Sequence, residues 1–391
     1  MLDTTEIQKK TLLCYQCSKC NSVCPAFRTG QFSPRAFVLE TVSGGVGSVV
    51  DDPTIWGCQT CGACDVCPMG IDIPGAVLAT RSGAVKAGNV PPPTKSGHRR
   101  IFHMAQRIQA RSPTPPVANA WPRNNQKFSE RGKVGLYAGI LPVWDALMYN
   151  FEMNFTPGLQ AVLESLNIVD VEPAIPAGFK DSGHDLFYGG NEGDFIELAK
   201  HNQAIMERSG IETLIVVNPE DYHVLKHVYP RYLDGFSPEL VFWTDVLVKE
   251  NFIERLRYQA YLDVEVIAAY HDPCKLGRLN SIYESPRVIL ENLPGVRLKA
   301  LTNEKEHAPC CGVTAFIGCD DASLYLRQER LREAIDAGVE VLVTTCPSCV
   351  SHYHCATLSL GSADSPSKPV SVEDLSAFMA KRLYHFSKGT S

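Results

Sequence analysis

The sequence has no run fit to span a membrane, no basic tract, no nucleotide-binding glycine motif and no cysteine across its middle. Its longest apolar stretch, Val134 to Met148, is broken by Gly135, Gly139, Pro142 and Asp145, which leaves it too short and interrupted to cross a bilayer. Lys and Arg number 37 against 43 Asp and Glu, for a net charge of −6, and no basic cluster is long enough to suggest a nucleic-acid partner. No G-x-G-x-x-G follows a strand-like run, so neither a flavin nor a nucleotide site is expected. The first residues lack the charged start and apolar run of a secretory signal, and Cys14 comes too early to leave room for one. A cytoplasmic protein is expected, with any membrane association made through a partner.

What is present is size, apolar content and thiols. With 391 residues, 45% of them hydrophobic, the chain can build two or three packed cores. Its fifteen cysteines would suit a disulfide scaffold in a small secreted protein, but in a large chain without an export signal they are expected to be reduced. Eight fall before Ile71 and seven between Cys274 and Cys355, so the chemistry sits at the two ends.

Between them the organisation is readable. Residues 91–132 form a linker rich in proline, with Pro91-Pro92-Pro93, Pro113, Pro115-Pro116 and Pro122 excluding long regular structure. Within it, Ser96 to Arg111 has the spacing of one amphipathic helix, Ile101, Phe102, Met104 and Ile108 interleaved with Arg99, Arg100, Arg107 and Arg111. Packing between domains is the plainer role for such a helix, and docking to a membrane surface or an acidic partner the alternative. From Gly132 onward, β-rich runs alternate with helical periodicity: 134–140, 159–166, 214–217, 222–229, 264–270, 288–293, 324–335 and 341–345. That alternation predicts an α/β architecture with mainly parallel strands. The segment also repeats itself, because residues 210–221 align without gaps on residues 338–349, Asn218 and Asp221 standing where Cys346 and Cys349 stand.

Cys14-x-x-Cys17-x-x-Cys20-x-x-x-Cys24-Pro25 has the ligand spacing of bacterial ferredoxins. A tight loop can aim the first three sulfurs at one cubane, while the fourth, held outside it, reaches the other cluster. Cys58-x-x-Cys61-x-x-Cys64-x-x-Cys67-Pro68 repeats the pattern with one residue fewer before its last cysteine. The crossing rule assigns Cys14, Cys17, Cys20 and Cys67 to one [4Fe–4S] cluster and Cys58, Cys61, Cys64 and Cys24 to a second. Structural zinc would need only four ligands per site and neither Cys-Pro ending.

At the other end, Cys274, Cys310-Cys311-Gly312 and Cys346-Pro347-Ser348-Cys349 supply five thiols. Cys274 and Cys346 each follow a strand-like run and should emerge at the carboxyl edge of a parallel sheet, where open α/β folds bind ligands. Gly312 would let backbone approach a cluster without a Cβ. Metal-free buried cysteines, or a redox disulfide at Cys346 and Cys349, are the competing readings. Cys319 and Cys355 lie outside every motif and read as small buried hydrophobes. His271, Lys275 and Arg278 flank Cys274, either tuning a cluster or holding an anionic ligand, or else serving as helix caps and solvent-facing charge.

The first half, over residues 10 to 85, resembles the C subunit of heterodisulfide reductase, including Pro34-Arg35 and Trp56. Residues 132 to 375 resemble the CCG domain of its B subunit and of the fused D-type form, on His271-Asp272-Pro273-Cys274, Cys310-Cys311-Gly312 and Cys346-Pro347-Ser348-Cys349. The resemblance implies a helical two-cluster ferredoxin-like domain (1–90) followed by two repeated CCG-type subdomains, 133–262 and 263–391. It also implies a noncubane [4Fe–4S] cluster on Cys274, Cys310, Cys311, Cys346 and Cys349. The chain departs from the family in its first copy, which has Ile140, Phe187-Tyr188-Gly189, Asn218 and Asp221 at the cysteine positions, so that half cannot hold a thiolate cluster. Family members that cleave disulfides use a pair of noncubane clusters. A single one favours an electron-transfer subunit working with a flavoprotein, a low-potential reductase or a membrane quinone subunit. Disulfide or thiol reduction by this chain and a zinc-stabilised scaffold remain the alternatives.

Overall fold

The computed structural model describes residues 4–92, 94, 98–113, 121–149, 153–256, 265–360 and 370–383. Pro93, Pro115, Pro116, the expected helix start at Ser96, Val264 and the expected subdomain boundary at 262–263 lie outside them. The chain divides into two compact units, one of Met1–Arg111 with Gly183–Glu197 and Pro309–Arg327, the other of Ser112–Ser182, Leu198–Ala308 and Gln328–Ser391.

The first unit has helices and turns and, among the described residues, no strand. Prolines start several of its helices, as expected where the missing N–H would have no partner. Pro34 follows the cap Ser33, which accepts from Ala36 N, and Pro74 lies two residues after the cap Asp72, which accepts from Gly75 N at 2.8 Å. The helix Ile73–Lys86 buries ten of its fourteen residues, including the whole of Arg81. The expected amphipathic helix runs His98–Arg111, with an orientation that its sequence does not reveal. Phe102 points inward and stacks on Phe316 at 4.2 Å, while Ile101, Met104 and Ile108 stay exposed. Polar contacts hold its inner face: Gln106 donates to Asp185, and Arg107 and Arg111 both pair with Asp194.

Among the described residues the second unit carries seven strands in two parallel sheets: β1 (Val134–Tyr137), β2 (Thr213–Val216), β3 (Glu239–Phe242), β4 (Val266–Tyr270), β5 (Val296–Leu298), β6 (Val341–Thr344) and β7 (Ser371–Asp374). Their orders are β1-β2-β3 and β5-β4-β6-β7. A bridge between Gly135 and Ala174 adds to the first sheet, at the free edge of β1, the place that β5 holds in the second. Both sheets are buried on two faces, which explains the near-continuous Val, Leu and Ile of their central strands. The expected strands at 134–140, 214–217, 264–270 and 341–345 are found within a few residues. So are the helices Phe155–Ile168, Pro219–His227, Glu284–Asn292 and Asp321–Asp336.

The internal repeat has a local physical basis. Gly210 and Gly338, both at φ +71°, close the preceding helices with one hydrogen-bond pattern. Gly210 N and Ile211 N donate to Glu207 O and Met206 O, as Gly338 N and Val339 N donate to Ile335 O and Ala334 O. β2 and its following helix then begin 128 residues before β6 and its helix. Packing is reciprocal as well. The helix Phe155–Ile168 lies against Leu375–Arg382, and Glu284–Asn292 lies against Trp243–Lys249.

Candidate metal centres

The two N-terminal cysteine loops share one backbone course. Gln16 and Ser18 (φ 62° and 67°) flank Cys17, and Thr60 and Gly62 (φ 44° and 71°) flank Cys61. Three of these four left-handed positions are not glycine, a strain that persists only where surroundings impose it. Sulfur-directed donors accompany it: Thr60 N lies 3.4 Å from Cys58 Sγ, and Gln16 Nε2 lies 3.3 Å from Cys14 Sγ. Arg35 fixes the first loop through Gln16 Oε1 and Ser18 Oγ, both at 2.9 Å.

Neighbouring thiols act on three of the eight. Burial pushes the Cys24 thiol up to about 12, with Cys58 and Cys61 adding to it, and burial likewise raises Cys64, with Cys58, Cys61 and Cys24 adding. Cys20 is raised by burial and then by Cys14 and Cys67. Cys67 is thus among the groups that raise Cys20, and Cys24 among those that raise Cys64. Four thiolates gathered in a partly desolvated pocket repel one another, and a cationic core that binds all four removes the penalty. The donor sets therefore fit iron–sulfur clusters. The groups differ in exposure, since Cys24, Cys58, Cys61 and Cys64 are buried whereas Cys17 is exposed and Cys14, Cys20 and Cys67 are half-buried.

Arg81 braces the second loop, a role for which its sequence gives no sign. Its guanidinium donates to Ile55 O, to Cys58 O at 2.6 Å and to Tyr188 O at 3.1 Å, and it lies 5.4 Å from the Trp56 ring. Gly190 makes room for this helix: a Cβ there would come within 2.5 Å of Arg81 O.

Cys310 and Cys311 lie in the first unit, and both are buried. Gly312 has φ +85° and donates to Cys310 Sγ at 3.4 Å, and its absent Cβ would point at Ser323. The left-handed backbone is what demands glycine there. Two residues on, Thr314 N donates to Gln59 Oε1 at 3.1 Å, and its hydroxyl donates to Gln59 O. Gln59 sits between Cys58 and Thr60, so the Cys310-Cys311 turn is bonded directly to the second N-terminal loop.

In the second unit, Cys274 follows β4 and Cys346 follows β6. These strands are neighbours, which puts both cysteines, and Cys349 in the helix Pro347–Leu360, at the carboxyl edge of one sheet. Asp272 anchors the Cys274 loop with a two-pronged ion pair to Arg287 (2.6 and 2.8 Å) and accepts from Lys305 N. Arg278 donates to Glu306 O and Ala308 O. The expectation of solvent-facing charge beside Cys274 is corrected for two residues: His271, which follows the last residue of β4, and Lys275 are buried, and the His271 ring meets Tyr353 edge-on at 4.9 Å. Cys274 is half-buried while Cys346 and Cys349 are buried. Of the two cysteines outside the motifs, Cys319 is buried as expected and Cys355 only half-buried.

Other chemistry fills the matching positions of the first copy. Asn218 caps its helix by accepting from Glu220 N, and Asp221 accepts from Ser182 Oγ at 2.6 Å. Ile140 is buried, and Phe187 packs on Phe195 and Tyr188. Ser348, between Cys346 and Cys349, donates at 2.7 Å to Glu220, the residue at the equivalent place between Asn218 and Asp221.

Residues 10–71 match the 4Fe-4S dicluster domain family, and residues 268–353 match the CCG cysteine-rich domain family. The chain is 27% identical over 381 residues to a Chromohalobacter salexigens protein named "Probable membrane-anchored ferredoxin", covering 86% of this chain and 55% of that protein. It is 26% identical over 411 residues to the D subunit of the dihydromethanophenazine:CoB–CoM heterodisulfide reductase of Methanosarcina acetivorans, covering 95% and 93%. Against the EtfAB:quinone oxidoreductase of Syntrophomonas wolfei it is 25% identical, covering 86% and 54%. The chain thus spans about half the length of two of these relatives and nearly all of the third. A crystal structure of a hypothetical protein from Helicobacter pylori shares the fold, with a TM-score of 0.56 at 10% identity, covering 91% of this chain and 69% of that one. Among the described residues no helix is long and apolar enough to cross a membrane. The chain is an iron–sulfur protein of the oxidoreductase-subunit type, homologous to the D subunit of heterodisulfide reductase, with a 4Fe–4S dicluster domain and a CCG cysteine-rich domain.

Proposed function

We propose that the chain is the electron-transfer subunit of a multi-subunit, cytoplasmic redox complex, relaying single electrons between two cubanes and one noncubane cluster. Cys14, Cys17, Cys20 and Cys67 hold the first cubane, and Cys58, Cys61, Cys64 and Cys24 hold the second. Cys274, Cys310, Cys311, Cys346 and Cys349 hold the noncubane cluster. The clusters supply one-electron redox chemistry when bound. The protein supplies the rest: Arg81 fixes the second loop, Asp272 fixes the Cys274 loop, and the left-handed residues aim the sulfurs.

The observation that carries this reading is the pair of hydrogen bonds between Thr314 and Gln59, which ties the Cys310-Cys311 turn to the loop of the second cubane. Residues 133–262 and 263–391 are two copies of one CCG-type unit in this proposal, the first having exchanged its thiols for hydrogen-bonded and aromatic side chains. Three relatives named as subunits or oxidoreductases support an assembly with a flavoprotein, a low-potential reductase or a membrane quinone subunit. The half-exposed Cys274 favours one second reading, disulfide or thiol reduction at the late cluster.

Anaerobic metal and sulfide analysis tests the proposal. About twelve irons and twelve sulfides per chain are expected for three four-iron clusters. Zinc without iron would replace the reading with that of a structural scaffold, and turnover of added disulfides by the isolated reduced chain would favour the enzyme.

A further inference from the structure

We infer that the surface around Cys14, Cys17, Cys20 and Cys67 is a docking site for an acidic one-electron redox protein, an inference that rests on those four thiolates holding a cubane. Exposure makes the first argument. All four ligands of the other N-terminal group are buried, whereas this group reaches the surface at Cys17. A partner can approach this cluster closely and not the other.

Apolar exposure makes the second. Leu12, Leu13 and Tyr15, which lead into and through the first loop, and Val66 beside Cys67 are each more than half exposed, and Met69 is exposed as well. The turn Ala63–Val66 packs on the helix Lys19–Val23, which brings the Val66 side of this surface to the loop. Single exposed apolar residues need no explanation, but several gathered round one redox centre mark an interaction surface.

Charge names the kind of partner. Between Ile7 and Arg35 the chain has Lys9, Lys10, Lys19, Arg28 and Arg35 and no Asp or Glu, and all five are exposed. The whole chain carries −6, so the remainder carries −11 and this segment stands as a positive island. Asp65 is the one carboxylate on the turn beside Cys67. Complementary charge speeds encounter and fixes orientation, while the apolar centre supplies the close contact. One electron leaves the partner's cofactor as one enters the cluster, or the reverse, and no proton or further reactant is needed.

The test uses the iron-loaded full chain, mixed rapidly with reduced flavodoxin as an acidic probe and separately with cytochrome c as a basic one. The expected second-order rate with flavodoxin falls about tenfold between low and high salt. Lys9→Glu with Lys10→Glu should lower it about tenfold at low salt and little at high salt. Leu12→Ser with Leu13→Ser should lower it at both. Equal rates for the charge-reversed and native chains, or a native preference for cytochrome c, overturn the docking site. A native chain that takes up no iron at its N-terminal cysteines overturns the cluster assignment itself, and with it this inference.

Discussion

Arg81 shows how a single side chain can hold a ligand loop without touching a sulfur. It is wholly buried, and burial lowers its pKa to about 10, with the neighbouring Cys58 drawing it back up. Three backbone carbonyls share its donors, and none has an obvious substitute. Arg81→Met preserves volume and removes the donors, so folding stability should fall by roughly 2–4 kcal/mol in chemical denaturation. The same variant should lose the second cubane's iron before the first's. Equal retention of both clusters would show that Arg81 braces the helix and not the loop. Nothing in the local sequence forecasts this role, because Arg81 lies fourteen residues beyond Cys67, between the small residues Thr80 and Ser82 of a helix with no other charge before Lys86. Gln59 and Thr314 were equally silent. Their contact joins residues 255 apart, and no spacing encodes it.

At the scale of elements, the motifs were legible and the joints between them less so. Cysteine spacing marks the segment that matches the 4Fe-4S dicluster family, and alternating β-rich and helical runs forecast the parallel strands. β3, β5 and β7 were missed, being three or four residues long and partly exposed, too short for alternation to register. Asp374, the cap of the helix Leu375–Arg382, offers a test at this scale. Burial raises its carboxyl to about 6, against hydrogen bonds from Ser376 that favour the charged form. In the unfolded chain the proton leaves near the ordinary value of 3.8, so between about pH 4 and 6 the folded state binds more protons and stability falls as pH rises. The loss, complete above pH 6, is of order 3 kcal/mol. Asp374→Asn keeps an acceptor for the cap and carries no charge. Its denaturation midpoints at pH 4.5 and 7 should therefore differ less than those of the native chain, and parallel profiles would contradict the assignment.

For the molecule as a whole, the aligned segments 210–221 and 338–349 are joined by contacts as well as alike in sequence. The C-P-S-C turn is bonded through Ser348 to Glu220, and the helices Phe155–Ile168 and Trp243–Lys249 pack on Leu375–Arg382 and Glu284–Asn292. The sequence revealed the repeat because strand and turn residues remain aligned. It did not reveal the bond, because Glu220 lies in a position where an exposed helix-start carboxylate is the ordinary expectation.

The central claim is that the late cysteines hold a cluster of their own beside an independent pair. Iron counting combined with EPR on Cys310→Ser with Cys311→Ser tests it most directly. The account predicts a fall from about twelve to about eight irons per chain with both cubane signals retained. An iron content equal to that of the native chain would contradict it.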